Sequence, residues 1–293
     1  MIQKSSISRT ARLSSLVFAF LTIGTVAVWT APQAELWPRW EAHNAASNDI
    51  IDHSTWAEFL ERYLVTEHAS GVNRVRYSEV SAPDLERLNS YISQLESVAV
   101  SGLNRNEQMA YWLNMYNAVT VRLILDHYPV ESIRDIKISG SVFNRHPWDA
   151  KLVRVEGEEL SLNDIEHRII RPIWQDARIH YAVNCAALGC PNLLPVPFSG
   201  ENYSDQFDVA AREYINHPRG ARFASVRLHA SSIFDWYEDD FRLAQSTEGD
   251  IAGVVSHMLE YAEPDLAEQL RNYQEAEYSP QPRYDYDWNL NEP

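Results

Sequence analysis

Cysteine is almost absent from this 293-residue chain: there are two, Cys185 and Cys190, and neither follows the N-terminal apolar run. A lipoprotein-type acyl anchor therefore has no residue to modify. Also missing are a G-x-S-x-G elbow, a P-loop, a G-x-G-x-x-G turn and an H-E-x-x-H helix, which removes the commonest serine-hydrolase, nucleotide-binding and zinc-protease layouts. Glu166-His167 does not complete the inverted zinc-protease pattern, because Asn163 stands where a histidine is needed. No segment repeats another. Basic residues are in the minority, 25 Lys and Arg against 41 Asp and Glu, for a net charge of −16. Such a surface repels phosphate backbones and anionic lipid heads, so a nucleic-acid partner is not expected.

What is present begins with Lys4, Arg9 and Arg12, without an acid, ahead of an apolar run from Leu13 to Trp29. Residues 1–34 therefore read as a signal peptide or an N-terminal membrane anchor. The run is near the lower length limit for crossing a bilayer, so cleavage after Ala27, Ala31 or Ala34 and retention through residues 13–29 are both open. The expected location is periplasmic or secreted, with membrane contact only through this segment. Residues 35–53 read as a linker or a strap. Residues 54–293 read as a single α+β domain, with helices packed on a mixed, mostly antiparallel sheet.

Within that domain, Trp56, Phe59, Leu60 and Tyr63 fall at helical spacing behind Ser54 as a cap, and Leu85, Leu88, Ile92 and Leu95 do so after Pro83. Val75 and Tyr77 suggest a short strand. The best-marked helix starts at Asn104 with Glu107 three residues on and stops before Pro129. Glu156-Gly157 marks a hairpin between 151–155 and 158–160, and Ser161 with Asp164 opens a helix that the sequence ends at Pro172. The alternation in Arg178 to Cys185 predicts a strand, with His180 and Asn184 on one face. A helix over 204–215, a strand over 224–228, a helix from Ser231 or Ser232 and two more before Tyr273 follow. Tyr284, Tyr286, Trp288 and Leu290 alternate with polar residues, which predicts a C-terminal strand returning to the sheet.

Chemistry has several candidate homes. In an oxidising compartment the two cysteines suggest a Cys185–Cys190 disulfide, worth about 2 kcal/mol for so small a loop. The alternative is a free Cys190 thiol ahead of Pro191, activated by His180. His180 with Asn184 fits a general base positioned by an amide, or a silent hydrogen-bonded histidine. Glu107, Asn114 and Asn117 are nearly eclipsed along the central helix, either as a structural network or as the lining of a cleft for a polar, amide-bearing ligand. Glu166 and His167 are candidate acid/base partners. Phe234, Tyr237 and Phe241 read as core, with Trp236, Glu238 and Asp239 beside them. No cofactor is expected. A metal would require His167, His180 and Cys190 to fold together.

The segments NEQMAYWLNMYNAVTVRLILDHYPVESI, HPWDAKLVRVEGEELSLNDIEHRIIR, ARIHYAVNCAALGCPNL, SSIFDWYEDDF and YDYDWNLN, in this order, resemble the family called domain of unknown function 547 over roughly residues 50 to 291. The resemblance implies export and points to Asn114, Asn117, Glu166, His167 and His180 as site residues. The central helix is also similar to that of papain and transglutaminase-like Cys-His hydrolases, but those carry a nucleophilic cysteine at its start and this chain has none there. The expected function is a hydrolase or transferase acting on an amide or peptide bond. Cys190, His180, His167 and Glu166 would be catalytic, and Glu107, Asn114, Asn117 and Asn184 would bind substrate. The alternative is a non-catalytic module for a small-molecule or peptide ligand.

Overall fold

The first helix forms where the apolar spacing places it, α1 (Ser54–Tyr63), and buries Trp56, Phe59, Leu60 and Tyr63. A computed structural model of the chain describes residues 32–138, 146–243 and 250–293. The apolar segment 13–29 lies outside the described residues. Ser54 is the first helical residue rather than the cap, and the Asp52 carboxylate accepts its N–H at 2.9 Å. Two short strands follow, β1 (Leu64–Val65) antiparallel to β2 (Arg74–Val75), and Tyr77 sits beyond them in a 3-10 turn. α2 (Ala82–Glu96) is capped by Ser81, whose hydroxyl accepts from the Asp84 N–H.

The core is organised around α3 (Arg105–His127), capped by the Asn104 side chain at the Glu107 N–H, 3.0 Å. Every residue from Glu107 to Val121 is buried. A helix buried on all sides has no solvent stripe, so its polar residues must find partners inside the protein. The segment before α1 straps the surface. Glu35 and Trp37 donate to the carbonyls of His167 and Arg168 at 2.9 and 3.0 Å, and Trp40 packs edge-on against Trp112 of α3.

β3 (Val153–Val155) and β4 (Glu158–Leu160) form the expected hairpin, with Glu156 and Gly157 at φ 45° and 88° in its two-residue turn. The helix behind it does not end at Pro172. Asp164–Ile170 is wound as a π-helix and passes into α4 (Arg171–Trp174), which ends at left-handed Gln175. Pro172 falls where the winding changes from π to α, one turn before the helical segment ends.

The strand expected over 178–185 is instead a 3-10 turn, Ala177–Tyr181, capped by Asp176. Ile179 to Asn184 are all buried, and a run with no exposed face cannot reveal its conformation through alternation. α5 (Tyr203–Asn216) follows. The strand expected over 224–228 straddles a turn between β5 (Ala221–Ala224) and β6 (Arg227–Ser231), with Ser225 at φ 56°. Then come α6 (Ile233–Trp236), α7 (Glu238–Leu243), α8 (Asp250–Tyr261) and α9 (Pro264–Glu275).

The C-terminus does return. β7 (Arg283–Asp285) pairs parallel with β6, and further on Leu188 and Gly189 donate to the carbonyls of Asn289 and Asp287, both at 2.8 Å. A Cβ at Gly189 would lie 2.8 Å from the Asp287 nitrogen, so only glycine allows this approach. The architecture is α+β, but among the described residues the strands form three small sheets rather than one: β1-β2, β3-β4 and β5-β6-β7. The described residues form one compact unit.

Candidate functional site

The polar line on α3 is engaged by backbone throughout. Glu107 accepts the N–H groups of Ile51 at 2.8 Å and Gly200 at 3.2 Å. Asn114 donates to the Phe198 carbonyl at 2.8 Å and accepts its N–H at 3.0 Å. Asn117 bonds the Ala182 carbonyl and the Asn184 N–H, both at 2.9 Å. Asn184 in turn bonds the Pro191 carbonyl and the Ala186 N–H, both at 2.8 Å. Glu107, Asn114 and Asn117 pin the 182–200 segment along the central helix, and Asn184 braces that segment from within. Asn117→Ala is expected to cost about 2 to 4 kcal/mol, because a buried carbonyl and a buried N–H each lose their partner. Urea unfolding measures it, and a loss under about 1 kcal/mol would refute the pinning role.

Cys185 and Cys190 form a disulfide, so Cys190 offers no free thiol in this structure. The Tyr286 hydroxyl lies 3.0 and 3.1 Å from the two sulfurs.

Glu166, His167 and His180 do converge, with partners from three further places. The Asp240 Oδ2 of α7 accepts from Arg171 Nε at 2.6 Å and from His180 Nε2 at 2.7 Å. Arg171 also donates to His167 Nδ1 at 2.9 Å and to the Pro32 carbonyl at 2.8 Å. Glu166 Oε2 accepts from the Tyr116 hydroxyl of α3 at 3.0 Å. Its Oε1 lies 3.9 Å from Nδ1 of both His167 and His180. Tyr237 stacks on the His180 ring at 3.9 Å, and the Arg171 guanidinium lies 4.8 Å from the Tyr237 ring.

The electrostatics follow from burial and from these neighbours. Burial holds the His167 imidazole down to about 4, with Arg171 adding to the effect. Accepting the Arg171 N–H fixes the same neutral form, with its proton on Nε2. Burial works against an ionised Glu166, yet the Arg171 charge and the Tyr116 hydroxyl favour the carboxylate, and its pKa lies below the ordinary value. Asp240 lies well below the carboxylate range: burial opposes this, but the bonds from His180 and Arg171 prevail. Burial raises the phenols of Tyr116, Tyr237 and Tyr286, and the Glu166 charge raises each further, so the disulfide's tyrosine and the acid–base cluster share one field.

His180 Nδ1 is buried without a hydrogen-bond partner. Among the described residues no group of three or more His, Cys, Asp or Glu side chains is placed to hold a metal ion, and no helix is long and apolar enough to cross a membrane. Asp240, Tyr237, Arg171, Tyr116 and Tyr286 were not singled out as site residues from the sequence. Arg171 alone carried a local signal, four residues after His167 on a helical segment.

Fold and site together define an α+β protein with a buried cluster of ionisable side chains. Residues 100–215 match the model of a family described as protein of unknown function, DUF547. The matched stretch contains Tyr116, Glu166, His167, Arg171, His180 and both cysteines, whereas Tyr237, Asp240 and Tyr286 lie beyond it. No curated protein and no solved structure matches the chain.

Proposed function

We propose that this protein is an exported acid–base enzyme of the cell envelope, a hydrolase or transferase acting on an amide or peptide bond, with His180 as general base. One observation carries the proposal: Nε2–H of His180 is tied to Asp240, while its Nδ1 stays unpaired and faces Glu166 across 3.9 Å. A buried nitrogen left without a partner needs a physical reason, and a reacting group placed there supplies one. Water, or an acceptor hydroxyl, gives its proton to Nδ1 as its oxygen attacks the amide carbon. The imidazolium then returns that proton to the leaving nitrogen as the C–N bond breaks. Two carboxylates against one guanidinium leave the centre with one negative charge in excess, which a transient imidazolium neutralises. Cys190, held in the disulfide, takes no part. Export rests on Lys4, Arg9 and Arg12 ahead of the apolar run.

Turnover of peptide and aryl-amide substrates by the purified protein tests this directly. His180→Gln is expected to lower it about 10² to 10⁴-fold without loss of fold, and Cys190→Ser is expected to retain it. A folded His180→Gln protein with full turnover would end the proposal. A second reading, a binding module without turnover, is favoured by the enclosure of His180, whose side chain is 1% exposed, and by an open groove of about 620 Å3 lined by Asn73, Asn192 and Val209. Folded wild-type protein that binds an amide ligand and never cleaves it would establish that reading instead.

A further inference from the structure

In this acidic chain, an open hollow of about 510 Å3 beside the Leu188-Gly189 backbone gathers three arginines, Arg74, Arg219 and Arg222. Arg222 is answered by Asp285 at 3.5 Å, which also faces Arg283 at 3.4 Å. Arg74 and Arg219 are different. Arg74 donates to the Glu292 carbonyl at 2.9 Å and to the Ser70 hydroxyl at 3.2 Å. Arg219 donates to the Leu188 carbonyl at 3.0 Å and to Asn192 Oδ1 at 2.6 Å. These neutral partners hold both guanidinium groups in place without cancelling their charge. Neither arginine has a carboxylate within ion-pair distance among the described residues, and both Nε atoms are buried and unpaired.

Burial lowers the Arg219 pKa against the opposing effects of Tyr214, Tyr286 and Glu213, and the nearby Arg74 charge adds to the lowering. His217 adds no charge: its Nδ1 accepts the Arg219 N–H at 3.1 Å, so its Nε2 carries the proton given to the Ser70 carbonyl at 2.7 Å. Asp287 on the rim takes the Asn289 N–H at 3.0 Å and pairs with no cation among the described residues. Two uncompensated arginines and one unclaimed aspartate leave a single positive charge in excess. A monoanion fits that balance, whereas a phosphate dianion would face Asp287 with charge to spare.

We propose that this hollow binds the carboxylate of a small organic acid between Arg74 and Arg219, with the apolar part of the ligand against Val72, Leu188 and the Tyr286 ring. The site stands apart from His180 and does not depend on the catalytic proposal.

Titration of the full protein with N-acetylvaline, with its neutral amide and with inorganic phosphate, followed by calorimetry at low ionic strength, tests it. The carboxylate is expected to bind with a Kd of about 1 mM and the amide at least about tenfold more weakly. Arg74→Gln and Arg219→Gln are each expected to weaken the carboxylate about fivefold or more. Should Arg219→Gln fail to fold, because it also holds Leu188 and Asn192, Arg74→Gln decides. Equal binding of acid and amide, tighter binding of phosphate, no saturation by any of the three, or an unchanged affinity in Arg74→Gln would each overturn the site.

Discussion

Asp240→Ala is expected to destabilise the protein by about 3 to 5 kcal/mol and to abolish any turnover that depends on His180. One carboxylate oxygen receives both Arg171 Nε and His180 Nε2, at 2.6 and 2.7 Å. The Arg171 side chain is only 5% exposed, and Asp240 is its only ion-pair partner among the described residues. Removing Asp240 therefore leaves a buried cation that water cannot reach, which costs far more than the lost pair is worth on balance. The same change frees the His180 ring to rotate and to move its proton to the other nitrogen. Asp240→Asn separates the two effects: it keeps the volume and one acceptor oxygen, so it should cost less stability while still losing most of the activity. Equilibrium unfolding and turnover of both variants provide the check, and an Asp240→Ala protein as stable as wild type would show that the ion pair is not buried as described.

Acid should unfold the protein in two stages. Burial lowers the His53, His167 and His257 imidazoles to about 4 in the folded state, against an unfolded value of about 6.5. Between those values the unfolded chain binds up to three protons that the native chain refuses, so stability is fully present above about pH 6.5 and falls as pH drops toward 4. Each imidazole contributes at most about 1.4 kcal/mol per pH unit, or about 4 for the three together. Below about pH 4 the carboxyls of Glu166 and Asp240, both depressed in the folded state, extend the loss in the same direction. His257 lies against Phe241 and accepts or donates one hydrogen bond at Tyr181, 3.0 Å. His257→Asn should reduce the slope by about a third, read as urea midpoints between pH 7 and 4.5. A flat wild-type profile across that window would contradict the burial of these rings.

Local signals carried the parts of this fold that local physics controls. Asn104 and Pro129 bracket α3, and Glu156-Gly157 sets its hairpin, because caps and turns are decided by residues a few positions apart. The C-terminal alternation of Tyr284, Tyr286 and Trp288 marked a returning segment, although the ladder itself spans only Arg283–Asp285. The 177–181 turn reads as a strand in the sequence because His180 and Asn184 alternate with apolar residues, although both are buried and mark no solvent face. The site was half legible. Glu166, His167 and His180 stood out as titratable residues in apolar surroundings, but the group that organises them, Asp240, lies 60 positions beyond His180. It sits in an aromatic and acidic segment whose core residues Phe234 and Phe241 masked it. Glu107, Asn114 and Asn117 were correctly seen to share a face, yet spacing could not show that the backbone of 182–200 occupies it.

The proton on His180 is the most direct test of a base held open toward Glu166. Nitrogen-15 NMR of the imidazole rings near neutral pH, with His180 assigned by comparison with His180→Gln, reads both of its nitrogens. The expected result is a protonated Nε2, bonded to Asp240, and a bare Nδ1. A proton resident on Nδ1 would close the base and contradict an acid–base role for this centre.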